Sequence, residues 1–240
     1  MEKRFYIGCS GFYNRHWKGI FYPEKLPQSK WFSYYSRKFN SLELNTTFYR
    51  FPTKKSLSKW YEESPEDFIF SVKAPRLITH LKKFNDCEKL LEDLYEACHN
   101  GLHNKLGCIL FQFPPSLEFS KEKLDQILKN LNYSFTNVLE FRHKSWWTAK
   151  VYDKMNRKGV IFCSVDHPKL PKTIKIFARM AYVRLHGSPV MFYSEYSQDH
   201  LKKLYAKIRN CKTACIYFNN TAGNAGILNA KQFKELINKS

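Results

Sequence analysis

The chain has 240 residues, 43% of them hydrophobic and 17% aromatic, with 40 Lys and Arg against 21 Asp and Glu for a formal charge of +19. That apolar content over that length supplies a packed core without disulfide or metal staples, which excludes a disordered segment. No apolar run reaches the roughly 18 residues of a membrane span, and Met1-Glu2-Lys3-Arg4 does not open a signal peptide, so a cytoplasmic protein without membrane contact is expected.

In chain order, short apolar runs alternate with segments of helical character. Phe5–Cys9 reads as the first strand, followed by an aromatic loop (Phe12, Tyr13, Trp17, Phe21, Tyr22) and a helix over 31–39 behind Ser29. Leu42–Asn45 is the second strand, with a helix over 57–62 after Ser56. Phe68–Lys73 is the third, and its helix (87–98) sets Leu90, Leu91, Leu94 and Cys98 at helical spacing. Cys108–Phe113 follows, then a helix announced by Ser120 as N-cap. Val138–Arg142 precedes a helix ending at Gly159, and Val160–Asp166 precedes only a weak, irregular helix in a segment holding Pro168 and Pro171. Ala181–His186 and Ala214–Asn219 complete the strands, with helices over 201–208 and 233–237. Eight strands alternating with helices, and no G-x-G-x-x-G after the first, predict an α/β fold: a single (β/α)8 TIM-type barrel of parallel strands spanning 1–240 as one domain. The seven cysteines show no C-x-x-C pair and four lie in strand runs, which reads as buried small hydrophobes.

The strands start apolar and finish polar. Residues two apart share a face, so Glu43 pairs with Asn45, Glu140 with Arg142, Ser164 with Asp166, and Arg184 with His186. Lys73, Gln112, Asn219 and Asn220 lie at or near the ends of other strands. In a barrel such ends carry the site. Glu43 and Glu140 are the candidate acid/base carboxylates, with Lys73, Asp166 and His186 as further catalytic candidates. Arg142 and Arg184 offer planar forks for a carboxylate or phosphate. Glu43, Glu140, Asp166 and His186 could share a divalent metal, but no H-x-H or H-E-x-x-H motif supports one, and no cofactor is predicted. The stretch from Asn220 to Gly226, with Gly223 at its centre, lies where barrels bind phosphate, although glycines also serve plain turns. The aromatic loop after the first strand, interleaved with Arg15, His16 and Lys18, could stack bases or sugars or equally close over the first helix.

Gly8-Cys9-Ser10-Gly11, His16-Trp17-Lys18-Gly19 and Phe21-Tyr22-Pro23 resemble the opening of the YecE-like family, a domain-of-unknown-function family with a barrel fold. The likeness continues through Glu43-Leu44-Asn45, Thr47-Phe48-Tyr49, Phe70-Ser71-Val72-Lys73, Thr79-His80 and Phe111-Gln112-Phe113-Pro114-Pro115. It resumes at Glu140-Phe141-Arg142-His143, Ser145-Trp146, Arg184-Leu185-His186-Gly187 and Phe218-Asn219-Asn220. Phe12 stands where the family usually has Trp, and Asn14 where it often has Tyr, which bears on stacking by the first loop. From these motifs Ser10, Asn45, Tyr49, His80, Gln112 and Trp146 join Arg142, Arg184, Asn219, Asn220 and Gly223 as substrate-binding candidates. The resemblance implies the barrel and brings no reaction.

Three functions are expected in order of fit. The first is an enzyme using strand-end acid/base residues on an anionic, phosphorylated small molecule, its class open among hydrolase, lyase and isomerase. The second is a nucleic-acid-binding or nucleic-acid-processing barrel, prompted by the +19 charge. The third is a non-catalytic binding module.

Overall fold

The computed structural model describes residues 4–239; Met1, Glu2 and Lys3, expected above not to open a signal peptide, lie outside the described residues, as does Ser240. Its eight strands are β1 (Arg4–Cys9), β2 (Ser41–Leu44), β3 (Ile69–Lys73), β4 (Leu106–Phe113), β5 (Asn137–Phe141), β6 (Ile161–Asp166), β7 (Met180–Leu185) and β8 (Thr213–Phe218). Their order in the sheet is β1-β8-β7-β6-β5-β4-β3-β2. With helices α1 (Trp31–Lys38), α2 (Thr46–Tyr49), α3 (Lys54–Glu63), α4 (Glu88–Leu102), α5 (Lys121–Asn130), α6 (Ala149–Arg157), α7 (Gln198–Ile208) and α8 (Ala225–Asn238), this is an α/β (β/α)8 TIM-type barrel. The irregular helix expected after β6 is absent: residues 167–179 make turns and one isolated bridge, Phe177 with Met180, as Pro168 and Pro171 dictate. No helix among the described residues is long and apolar enough to cross a membrane.

The chain clusters into two compact units. The first comprises residues 4–43, 65–68 and 164–239. In it β1 and β7 both pair in parallel with β8, setting Gly8 and Arg184 opposite Tyr217. Side chains link β1 to the residues around the start of β2. Asn40 accepts from Ile7 N at 2.9 Å and donates to Phe5 O at 2.8 Å. The Tyr35 hydroxyl accepts from Cys9 N at 2.7 Å. Gly8 permits that closeness, because a Cβ there would lie 2.0 Å from the Ser41 carbonyl oxygen. The aromatic loop after β1 packs as a lid on α1: Trp17 and Tyr22 are buried, and Tyr22 stacks on Trp31 at 4.6 Å and 6°.

The second unit comprises residues 44–64 and 69–163. β4 is its spine, paired with β3 and β5, with Gln112 opposite Glu140. Behind the strands, Phe113, Phe141 and Trp146 form a stack with spacings of 5.2 and 3.9 Å. Helix ends are capped where side chains allow: Ser120 accepts from Lys123 N at 3.0 Å, and Thr53 with Ser56 forms a reciprocal capping box on α3. All seven cysteines are buried, and none forms a disulfide.

Candidate functional site

In the second unit, the last residues of β3, β4 and β5 build a cationic site. Lys73 ends β3 on the face that also carries Gln112 and Glu140, as register and alternation require. Its ammonium sits 4.0 Å over the Phe48 ring. Phe48 is delivered by the one-turn helix α2, which is pinned to the strand end by the buried Thr47: the hydroxyl lies 2.7 Å from the Leu44 carbonyl and 2.6 Å from that of Lys73. Glu140 is fully buried; Arg142 Nε donates to its Oε1, and the Cys163 thiol donates to its Oε2 at 3.6 Å. The carboxylate thus holds the guanidinium of Arg142, which keeps 13% of its side chain exposed, at the strand end.

His80 comes from a π-helical turn over Leu77–Leu81, closed by Lys82 N donating to Leu77 O at 2.9 Å. Such turns carry one extra residue per hydrogen-bonded ring and recur at functional sites. Gln112 Nε2 is a donor and faces His80 Nε2 at 3.4 Å, so Nε2 carries the lone pair and Nδ1 the proton, given to Thr79 Oγ1 at 2.9 Å. Burial, with Lys73, Arg76 and Arg142 acting against the charged form and Glu140 for it, lowers the imidazole to about 4. The ring is a neutral base.

In the first unit the polar strand ends are more enclosed. Arg184 donates to Glu43 Oε1 through Nε at 3.1 Å and Nη2 at 2.7 Å, and the Tyr182 hydroxyl donates to Oε2 at 2.7 Å. Glu43 is 0% and Arg184 1% exposed, so this pair braces the interior of the first unit. Asn219 Nδ2 donates to His186 Nδ1 at 2.7 Å, leaving the proton on Nε2 of a ring that is itself buried. Asn220 is buried, donating to Ser194 O at 2.9 Å, and Ser10 is buried with its N–H on Phe218 O. The glycine segment is a packed turn. Gly223 O accepts from Trp17 Nε1 at 3.0 Å, Gly226 N donates to Asn220 O, and a Cβ at 226 would meet Thr221 at 2.8 Å.

Ser164 and Asp166 share one face of β6 in the first unit. There Ser164 accepts from Lys175 N at 2.8 Å, and Asp166 meets Lys172 and His200, each at 3.3 Å. Trp146, expected on substrate, is fully buried and donates to Leu117 O at 2.7 Å. Asn45 sits at the start of α2, and Tyr49 at its end is 77% exposed. Among the described residues no three of His, Cys, Asp and Glu come together as a metal would require.

The model of the family described as protein of unknown function DUF72 matches residues 6–240. The chain belongs to that family. Among curated proteins, the UPF0759 protein YunF of Bacillus subtilis (strain 168) is 28% identical over 97% of this chain and 94% of its own length. The UPF0759 protein YecE of Escherichia coli (strain K12) is 26% identical over 52% of this chain and 46% of its own. Among solved structures, a DUF72 family protein of Thermotoga maritima MSB8 superposes with a TM-score of 0.85 at 30% identity, covering 98% of this chain and 99% of that one. One from Enterococcus faecalis V583 gives 0.78 at 20% identity, with 100% and 99% covered, a likeness of fold.

For this DUF72 chain, the structure brings Lys73, His80, Gln112, Glu140 and Arg142 together in one unit, and adds Phe48 and Arg76 to them. Phe48 lies within Thr47-Phe48-Tyr49 but carries no titratable group to single it out. Arg76 follows Ala74-Pro75 beyond the strand, where i, i+2 alternation no longer applies. The arrangement supplies donors for an anion at Lys73, Arg142 and Gln112, with one neutral proton acceptor beside them. Elsewhere, burial pushes the Cys98 thiol up to about 12 and the Cys9 thiol higher still.

Proposed function

We propose that this DUF72 protein is an enzyme acting on an anionic, phosphorylated small molecule held at the ends of β3, β4 and β5. The observation that carries the reading is His80 Nε2 facing Gln112 at 3.4 Å, beside Lys73 over Phe48 and the Arg142 guanidinium held by Glu140. Cations at a strand end attract a phosphate, and a base that stays unprotonated beside them can take a proton from the molecule they hold. Lys73 and Arg142 are the anion ligands, Gln112 hydrogen-bonds the substrate, Glu140 fixes Arg142, and His80 Nε2 receives the proton from a substrate O–H or C–H. Thermal shift against phosphorylated metabolites tests it. The expected result is a compound that raises the Tm of the wild type and not that of Glu140→Gln/Arg142→Ala. If no phosphorylated compound separates the two proteins, the reading fails; binding without turnover makes the protein a non-catalytic module.

A nucleic-acid reading draws on one other feature, a 670 Å³ open cavity lined by Arg15, Lys18 and Lys25 together with Glu24, which pairs with Lys18 at 3.4 Å. Tyr13, 5.2 Å from Trp31 in the same lining, is more than half exposed beside it. It requires an affinity that falls linearly in log–log with salt; an affinity flat from low to physiological salt removes it.

A further inference from the structure

We propose that the cationic site of the second unit takes a nucleotide, with its phosphate on Lys73 and Arg142 and its base stacked on Tyr49. The inference deepens the proposed function and rests on it. Its starting point is a row of rings leading outward from the buried cations. Lys73 lies over Phe48, Phe48 meets His80 edge-on at 4.9 Å, and Tyr49 stands edge-on to Phe48 at 5.1 Å. Tyr49 is therefore no farther from the Lys73 ammonium than those two contacts laid end to end, the reach of a phosphate and a base joined through one sugar.

The outer ring is unusual for its exposure. Tyr49 is 77% exposed, and Leu81, on the π-helical turn that carries His80, is 61% exposed. A site for a bare phosphate or a sugar phosphate has no use for large apolar side chains at its rim, whereas a flat heteroaromatic ring covers them. The support is rigid: α2 is a single turn tied through the buried Thr47 to the carbonyls of Leu44 and Lys73. The ring and the ammonium thus sit on one anchored element.

Calorimetric titration of the full chain with AMP, ribose 5-phosphate and inorganic phosphate tests this, using wild type, Tyr49→Ala and Tyr49→Phe. Tyr49 is a surface residue, so both variants are expected to fold. The wild type is expected to prefer AMP over ribose 5-phosphate by at least about fivefold, the lower end of base–aromatic stacking. Tyr49→Ala should remove that preference while leaving the affinities for ribose 5-phosphate and phosphate unchanged, and Tyr49→Phe should keep it. Equal affinities for AMP and ribose 5-phosphate in the wild type overturn the inference and leave the proposed function standing. So does a Tyr49→Ala variant that weakens all three alike. If none of the three binds, the inference is overturned as well, while the proposed function falls only when no phosphorylated compound separates the wild type from Glu140→Gln/Arg142→Ala. A 5′-phosphorylated trinucleotide separates the two sources of this chemistry: tighter binding than AMP assigns a strand end, weaker binding a free nucleotide.

Discussion

Glu43 and Arg184 sit where a buried charge is hardest to keep, and they are held by three hydrogen bonds on one carboxylate. Removing the charge from one partner leaves the other in a low-dielectric interior with less to answer it. Glu43→Gln is therefore expected to destabilise the protein by about 3–5 kcal/mol in urea unfolding. Glu43→Leu combined with Arg184→Met should cost less than the two single changes added together. His80 poses the opposite problem, a group kept uncharged. An ordinary imidazole titrates near 6.5, and burial with Lys73, Arg76 and Arg142 lowers this one to about 4. Between those values the unfolded chain binds a proton that the folded one refuses, so this group's contribution to stability is full above 6.5 and declines as pH falls toward 4. An NMR titration should place the His80 midpoint near 4, and added phosphate should move it upward by offsetting the cations. A midpoint indifferent to phosphate would put the anion elsewhere. Why Glu140 and Glu43 differ was not legible from their i, i+2 partners, since both read as strand-end carboxylates. Glu140 is met by its own i, i+2 partner Arg142, whereas Glu43 is met by Arg184 and Tyr182, far away in sequence, and that second pairing is what its i, i+2 partner Asn45 could not show.

At the scale of the element, α3 shows how a charge outside the site can be structural. Lys105 is 6% exposed, and its ammonium donates to Tyr61 O at 2.7 Å, Ser64 O at 2.8 Å and Ser64 Oγ at 2.9 Å. It closes the carboxyl end of α3, where carbonyls lack partners and a cation is favoured. Lys105→Met should cost about 2 kcal/mol, the value of charge-assisted hydrogen bonds to buried acceptors, in urea unfolding without changing anion binding. Strands were readable because apolar runs bounded by turns carry their own signal; β1 to β8 begin and end within two residues of the expected positions. The short α2 and the π-helical turn were not, because four or five residues hold too little periodicity to show, and these are the elements that supply Phe48, Tyr49 and His80.

For the whole molecule, the charge of +19 sets two effects against each other. Like charges spread over a folded surface repel, and added salt relieves that repulsion within a Debye length of about 8 Å at physiological strength. Sodium chloride alone is therefore expected to raise the Tm, with no need of a site. A phosphate held by Lys73 and Arg142 adds a second increment, because a ligand that binds only the folded state stabilises it by RT ln(1 + [L]/Kd), about 2.7 kcal/mol at a hundredfold excess over Kd. The two separate when melting curves are compared at equal ionic strength. Phosphate should exceed chloride in the wild type, and Lys73→Ala/Arg142→Ala should erase that excess while keeping the rise with chloride. A double variant that still melts higher in phosphate would mean that the basic surface collects the anion without a site, and the strand-end cations would lose their place in the mechanism.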